Sequence, residues 1–242
     1  MCRIVPLAVE ASADGFKGFR VDSVVLLDDH DSILFDAGFP GMADDFEKAL
    51  EKAGIGIENL TGIFISHQDH DHIGSLAEIK RRAPKAKAFA TAVTAGAASG
   101  RDKPVRLALE EEEHLRLPLD KRLKRPAPST LWPKIEFTEI ECIVEGGDVL
   151  PWCGGTEVIL TPGHMPGHAS LYVRKKKAFI AGDAAEIAGG ELQIPKVYSL
   201  DLKMAARCLR EAGEKFDVRE VYCYHGGIWR GDASKELRRL GK

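Results

Sequence analysis

One short loop constrains this chain more than any other feature. Residues 62–65, Gly62-Ile63-Phe64-Ile65, form an unbroken apolar run that reads as a buried strand, and residues 73–83 carry a helical apolar stripe that stops at Pro84. Between them stands Ser66-His67-Gln68-Asp69-His70-Asp71-His72. Five of the six residues from His67 to His72 are metal-ligand types, and three of the eight histidines in the chain fall there. A divalent cation needs several imidazole or carboxylate donors converging at about 2.0–2.2 Å. A strand-to-helix loop is a common place to find them. The bland alternative is an Asp/His-rich surface turn.

The rest of the chain argues against that alternative. A strand over 157–161 runs into Thr161-Pro162-Gly163-His164-Met165-Pro166-Gly167-His168, two histidines in a Pro/Gly frame. An apolar strand at 178–181 ends on Gly182-Asp183, and one at 218–223 ends on Tyr224-His225. Four strand ends each offer a donor, and only His30 and His114 lie outside this set.

Other segments read as strands at 21–27, 32–36, 87–90, 135–144 and 170–173, and as helices at 42–53, 202–216 and 234–240. Ser199 or Asp201 is available to cap the helix at 202. These residues alone support an α/β fold with buried strands. The stretch at about 101–134 breaks the rhythm: it holds Glu110 to Glu113 and five prolines, and reads as a surface insertion with one or two short helices. It is either a solvated linker or a lid, with leucines that would cover a substrate or join two copies as a homodimer.

The 242 residues suit one domain, 1–242. The net charge of −3 provides no basic face for nucleic acid, and no apolar run of about 18 residues suggests a membrane span. The N-terminus lacks a signal-peptide pattern. The five scattered cysteines contain no CxxC pair and read as reduced thiols, so the expected location is cytoplasmic.

The order of motifs resembles the metallo-β-lactamase superfamily: HxHxDH, then a PGH loop, a GD strand end and a late histidine. Here these are His67, Asp69, Asp71 and His72, then His164, Asp183 and His225, with Phe35-Asp36-Ala37-Gly38 similar to the early DxG turn. The resemblance implies a four-layer αβ/βα sandwich of two mixed β-sheets. It implies one metal held by His67, Asp69 and His164 and another by Asp71, His72 and His225, with Asp183 bridging. His168 would face the substrate or support the site, and Asp36 would support it or be a simple turn residue. Asp69 stands where the family usually has its second histidine, with His70 beside it. The run Asp71-His72-Ile73-Gly74 fixes the register and favours Asp69 as the ligand. An added carboxylate hardens the site, so zinc is expected first, with manganese or iron as alternatives.

The implied chemistry is hydrolysis of a small-molecule ester-type bond, a lactone or thioester, by a metal-activated hydroxide oriented by Asp71. Tyr198 reads as core packing or, as in similar lactonases, as an oxyanion donor. Two rivals come from other classes. One is a di-iron redox enzyme, because some relatives carry a carboxylate at the position of Asp69; the other is a non-catalytic metal-binding sensor.

Overall fold

Alternation along the strands decides the architecture. In strand β2 (Arg20–Leu27), Val24 and Leu26 enter one apolar cluster while Val21 and Val25 enter another. In β3 (Ser32–Phe35), Ile33 and Phe35 point one way and Leu34 the other. Strands apolar on both faces must be covered on both faces. The computed structural model, which describes residues 1–12, 15–132 and 135–241, meets this demand with four layers.

Two six-stranded sheets pack face to face. The first has β1 (Arg3–Glu10), β2, β3, β4 (Gly62–Phe64), β5 (Lys87–Ala90) and β6 (Cys142–Ile143) in that order; β3 to β6 are parallel and β1 and β2 antiparallel. The second has β7 (Val149–Leu150), β8 (Thr156–Leu160), β9 (Ala169–Val173), β10 (Ala178–Gly182), β13 (Glu220–Cys223) and β14 (Gly227–Arg230). A separate hairpin pairs β11 (Glu186–Ala188) with β12 (Glu191–Gln193). Phe35, Phe64, Leu171 and Ile180 fill the space between the large sheets. Helices α1 (Ala43–Lys52), α2 (His70–Ile73), α3 (Leu76–Arg82) and α4 (Ala92–Ala98) supply residues to the cluster on the outer face of the first sheet. Helices α8 (Leu202–Lys215) and α9 (Ala233–Leu240) cover the second. The fold is therefore α/β, with two mixed sheets flanked by helices.

Strand direction then places the functional loops. β3 and β4 are parallel, so the loops after Phe35 and Phe64 leave from one edge. β8 is antiparallel to β9, β9 to β10, and β10 is parallel to β13, so the loops after β8, β10 and β13 also leave from a single edge.

Several local expectations need correction. Of the strand expected at 135–144, only Cys142–Ile143 pairs; upstream, the Thr138 amide donates to the Ala98 carbonyl and hooks the chain onto α4. The helix expected from 73 begins at His70, inside the donor run, and restarts as α3. Asp201 rather than Ser199 caps α8, its Oδ1 accepting from the Met204 amide at 2.8 Å. The insertion forms three helices, α5 (Val105–Arg116), α6 (Leu119–Arg122) and α7 (Pro128–Leu131), and its expected end at 133–134 lies outside the described residues. All five cysteines are free. Among the described residues no helix is long and apolar enough to cross a membrane.

Candidate metal centre

Asp36 is the root of the site. It follows β3 with a left-handed φ of 63° and is fully buried. Its carboxylate accepts from the Ser66 amide and hydroxyl, both at 2.7 Å, and from His72 Nδ1 at 2.8 Å. One residue thus grips both ends of the ligand loop. The bond to Nδ1 places the proton there and leaves His72 Nε2 as the free nitrogen. The backbone reinforces this grip, since the Ala37 amide donates to the His72 carbonyl and the Gly74 amide to the Gly38 carbonyl. Gly74 is required for this close approach, because a Cβ there would lie 2.3 Å from the Pro40 nitrogen.

Around that root, seven side chains from four loops meet. Three overlapping clusters have donor atoms within 4.8 Å of one another: His67, Asp69 and His164; His67, His72 and Asp183; Asp71, His72 and His225. Asp183 Oδ2 lies between the first and last, 3.6 Å from His164 Nε2, 3.5 Å from His72 Nε2 and 3.5 Å from His225 Nε2. Asp69 Oδ2 lies 3.4 Å from His67 Nε2 and 3.6 Å from His164 Nε2, and Asp71 Oδ2 is 3.3 Å from His225 Nε2. These gaps exceed the roughly 2.7–2.9 Å of a good charge-assisted hydrogen bond. They suit donors that share an ion at about 2.0–2.2 Å each. The buried atoms His67 Nε2, His72 Nε2, Asp69 Oδ1 and Asp183 Oδ1 have no hydrogen-bond partner. Such orphaned groups are costly unless a cation completes them. The donor set therefore fits two divalent metals.

His70 is drawn elsewhere. Its ring packs against Phe39 at 5.4 Å and Trp132 at 5.3 Å, centroid to centroid, and it belongs to none of the three clusters. His168 is fully buried, and its Nε2 accepts from the Asp183 amide at 3.1 Å. Its Nδ1 contacts Thr161 Oγ1, which contacts Ser170 Oγ, which donates to the Ala181 carbonyl. This chain makes His168 neutral, with its proton on Nδ1, and ties the loops carrying His164 and Asp183 together. Burial, then the neighbouring His67 and His164, push its pKa well down, in keeping with that assignment. Tyr198 is 61% exposed, which overturns core packing as its role; its carbonyl accepts from Arg106 at 3.0 Å.

Sequence reasoning passed over two residues. Tyr224, fully buried beside His225, accepts from the Gly38 amide and donates to the Asp71 carbonyl, both at 3.0 Å. Arg106 reaches Asp69 from the insertion, with Nε at 2.8 Å and Nη2 at 2.5 Å from Oδ2. Nothing in the pattern around Arg106 announces this contact, because it is made across 37 residues.

With the geometry in place, comparison with known proteins is decisive. The family model of the metallo-beta-lactamase superfamily matches residues 17–240. The chain belongs to this superfamily. The uncharacterized protein YobT of Bacillus subtilis (strain 168) is 27% identical over 176 residues, covering 71% of this chain and 65% of that protein. The probable metallo-hydrolase YflN of the same organism is 28% identical over 167 residues, covering 64% of this chain and 56% of that protein. The chain thus matches less than two thirds of the length of either relative. Among solved structures, a metallo-beta-lactamase family protein from Thermus thermophilus superposes with a TM-score of 0.70 at 19% identity, covering 98% of this chain and 78% of that one. An archaeal superfamily protein from Sulfolobus tokodaii gives 0.64 at 20% identity, with 99% and 86% coverage. At such identities the likeness speaks for the fold.

The superfamily centre is strongly charged in this chain. Burial opposes the ionisation of Asp71, but His72 and His225 outweigh it and draw its pKa down to about 2. Burial likewise opposes charge on His225, yet Asp183 and Asp71 raise it to about 10. His225 therefore carries a proton at neutral pH that a metal must displace. Zinc uptake at pH 8 is expected to release protons, and less so as pH rises through about 10, where His225 is already neutral. Calorimetry in buffers of different ionisation enthalpy measures this, and buffer-independent heat at pH 8 would contradict it. Asp36→Asn should weaken metal binding about 10- to 100-fold, measured by chelator competition, because one amide group cannot accept all three hydrogen bonds.

Proposed function

We propose that this chain is a binuclear metal-dependent hydrolase that cleaves a small-molecule ester-type bond, a lactone or thioester. The observation that carries this reading is the convergence of seven His and Asp side chains with buried, unpartnered donor atoms. His67, Asp69 and His164 would hold one metal; Asp71, His72 and His225 would hold the other, with Asp183 shared. Zinc is the first expectation, and manganese fits the added carboxylate of Asp69. When bound, two such metals supply Lewis acidity and a water acidified to a pKa of roughly 7.

The chain's own groups do the rest. Asp71 is ionised at neutral pH and opens toward the mouth, with its side chain 16% exposed. It orients the attacking water and passes the released proton to the leaving oxygen or sulfur as the carbonyl carbon's bond to that atom breaks. Buried Tyr224 steadies Asp71 by donating to its carbonyl. His168 and Asp36 position donors and stay off the substrate. Tyr198 is exposed, as are Val197 and Leu200, and its carbonyl meets Arg106. Its phenol is proposed to donate to the developing oxyanion, and the apolar neighbours favour an acyl or lactone substituent over a highly charged substrate.

A second reading, di-iron redox chemistry, is favoured by one observation, the carboxylate of Asp69 inside the cluster. Elemental mass spectrometry separates the two. About two zinc or manganese ions per chain, lost in His67→Ala, with chelator-sensitive turnover of chromogenic lactones or thioesters, is the expected result. About two irons without such turnover would replace hydrolysis with the redox reading. Tyr198→Phe should lower kcat/KM by about tenfold or more; unchanged turnover removes its proposed role.

A further inference from the structure

The two metal pockets are not equivalent, and the difference is an arginine. Asp71 and Asp183 form ion pairs only with histidines among the described residues. Asp69 is also bound by Arg106, whose Nε and Nη2 both donate to Oδ2 at 2.8 and 2.5 Å. This is the same oxygen that faces His67 Nε2 at 3.4 Å and His164 Nε2 at 3.6 Å. Arg106 Nη2 also lies 3.5 Å from His164 Nε2 and donates to the Tyr198 carbonyl at 3.0 Å. The guanidinium sits against the pocket, and its side chain is 16% exposed.

Arg106 also determines how α5 is held. No residue of this twelve-residue helix is buried. Its first turn is tied to the ligand loop by two polar contacts: Arg106 to Asp69, and the Val105 amide to Gln68 Oε1 at 2.8 Å. Farther along, Glu110 accepts from Trp132 Nε1 at 2.6 Å at the end of α7. A helix with no fully buried residue depends strongly on its polar tethers.

Resting on the two-metal reading above, we infer that Arg106 is a built-in cation that competes with a metal for Asp69, so that loading of the His67–Asp69–His164 pocket is coupled to release of α5. A dication sharing Oδ2 with a guanidinium meets a like charge at close range and an oxygen whose lone pairs are already engaged. The Asp71–His72–His225 pocket carries no such competitor and fills first. By linkage, whatever loosens α5 tightens the second metal, and the second metal loosens α5. Arg106 is a positioning residue in this scheme, acting through Asp69.

The test is a titration of the metal-free full chain with zinc in competition with a chromophoric chelator, paired with hydrogen exchange. The wild type should bind in two steps, the second weaker, and the amides of 105–116 should lose protection at the second equivalent and not the first. Arg106→Ala should leave the tighter step unchanged and strengthen the weaker step tenfold or more, with Arg106→Lys in between. If Arg106→Ala leaves the weaker step unaltered or weakens it, Arg106 merely orients Asp69 and the proposal is overturned. It is overturned equally if the second equivalent leaves wild-type α5 protection unchanged, a measurement that needs no variant. If the wild type binds no zinc in either step, the two-metal reading falls and takes this one with it.

Discussion

Four carboxylates, those of Asp36, Asp69, Asp71 and Asp183, meet at one edge of a double-sheet sandwich, and the rest of the structure depends on how they are balanced. Three of them are buried outright. A buried carboxylate is tolerated only when donors or counter-charges surround it. Asp36 is satisfied from within by Ser66 and His72. Asp69 has Arg106, and Asp71 and Asp183 share His72 and His225. These partners leave buried nitrogens and oxygens without a hydrogen-bond partner, in side chains whose donor atoms cluster within 4.8 Å. The cluster is best understood as a cage that needs cations to be complete.

The fold makes that concentration of charge tolerable. The ligand loops leave strands that are mostly buried, so each loop starts from a rigid base. Phe35 and Phe64, stacked with their rings 5.5 Å apart, sit immediately before Asp36 and shortly before His67. Hydrophobic packing thus fixes where the polar loops begin, and a few hydrogen bonds fix where they point. Gly182 illustrates the tightness of the result: it takes a φ of 56°, and a Cβ there would stand 2.9 Å from His168 Nε2.

The insertion shows a different balance. α5 has no buried residue, and two polar contacts from its start reach the ligand loop. A segment with no buried residue lies toward the low end of local stability. Through Arg106, α5 touches both the Tyr198 carbonyl and Asp69.

The sequence by itself determined the donors and the apolar strands before them. The run from His67 to His72, the PGH loop and the strand-end Asp183 and His225 were legible because each follows an apolar strand, and periodicity is a local property. The class of fold, and the register in which Asp69 rather than His70 lies within the donor cluster, followed from the same local order. Tertiary structure alone decided the rest. The weak pairing over 135–144, the helix at Ala92–Ala98 and the first strand were not legible, because their apolar patterns are short and only partners define them. The grip of Asp36 on both ends of the loop, the support of Asp71 by Tyr224, and the arginine on Asp69 were likewise hidden. Each joins residues far apart in the chain, and a hydrogen bond across 30, 153 or 37 positions leaves no trace in local spacing.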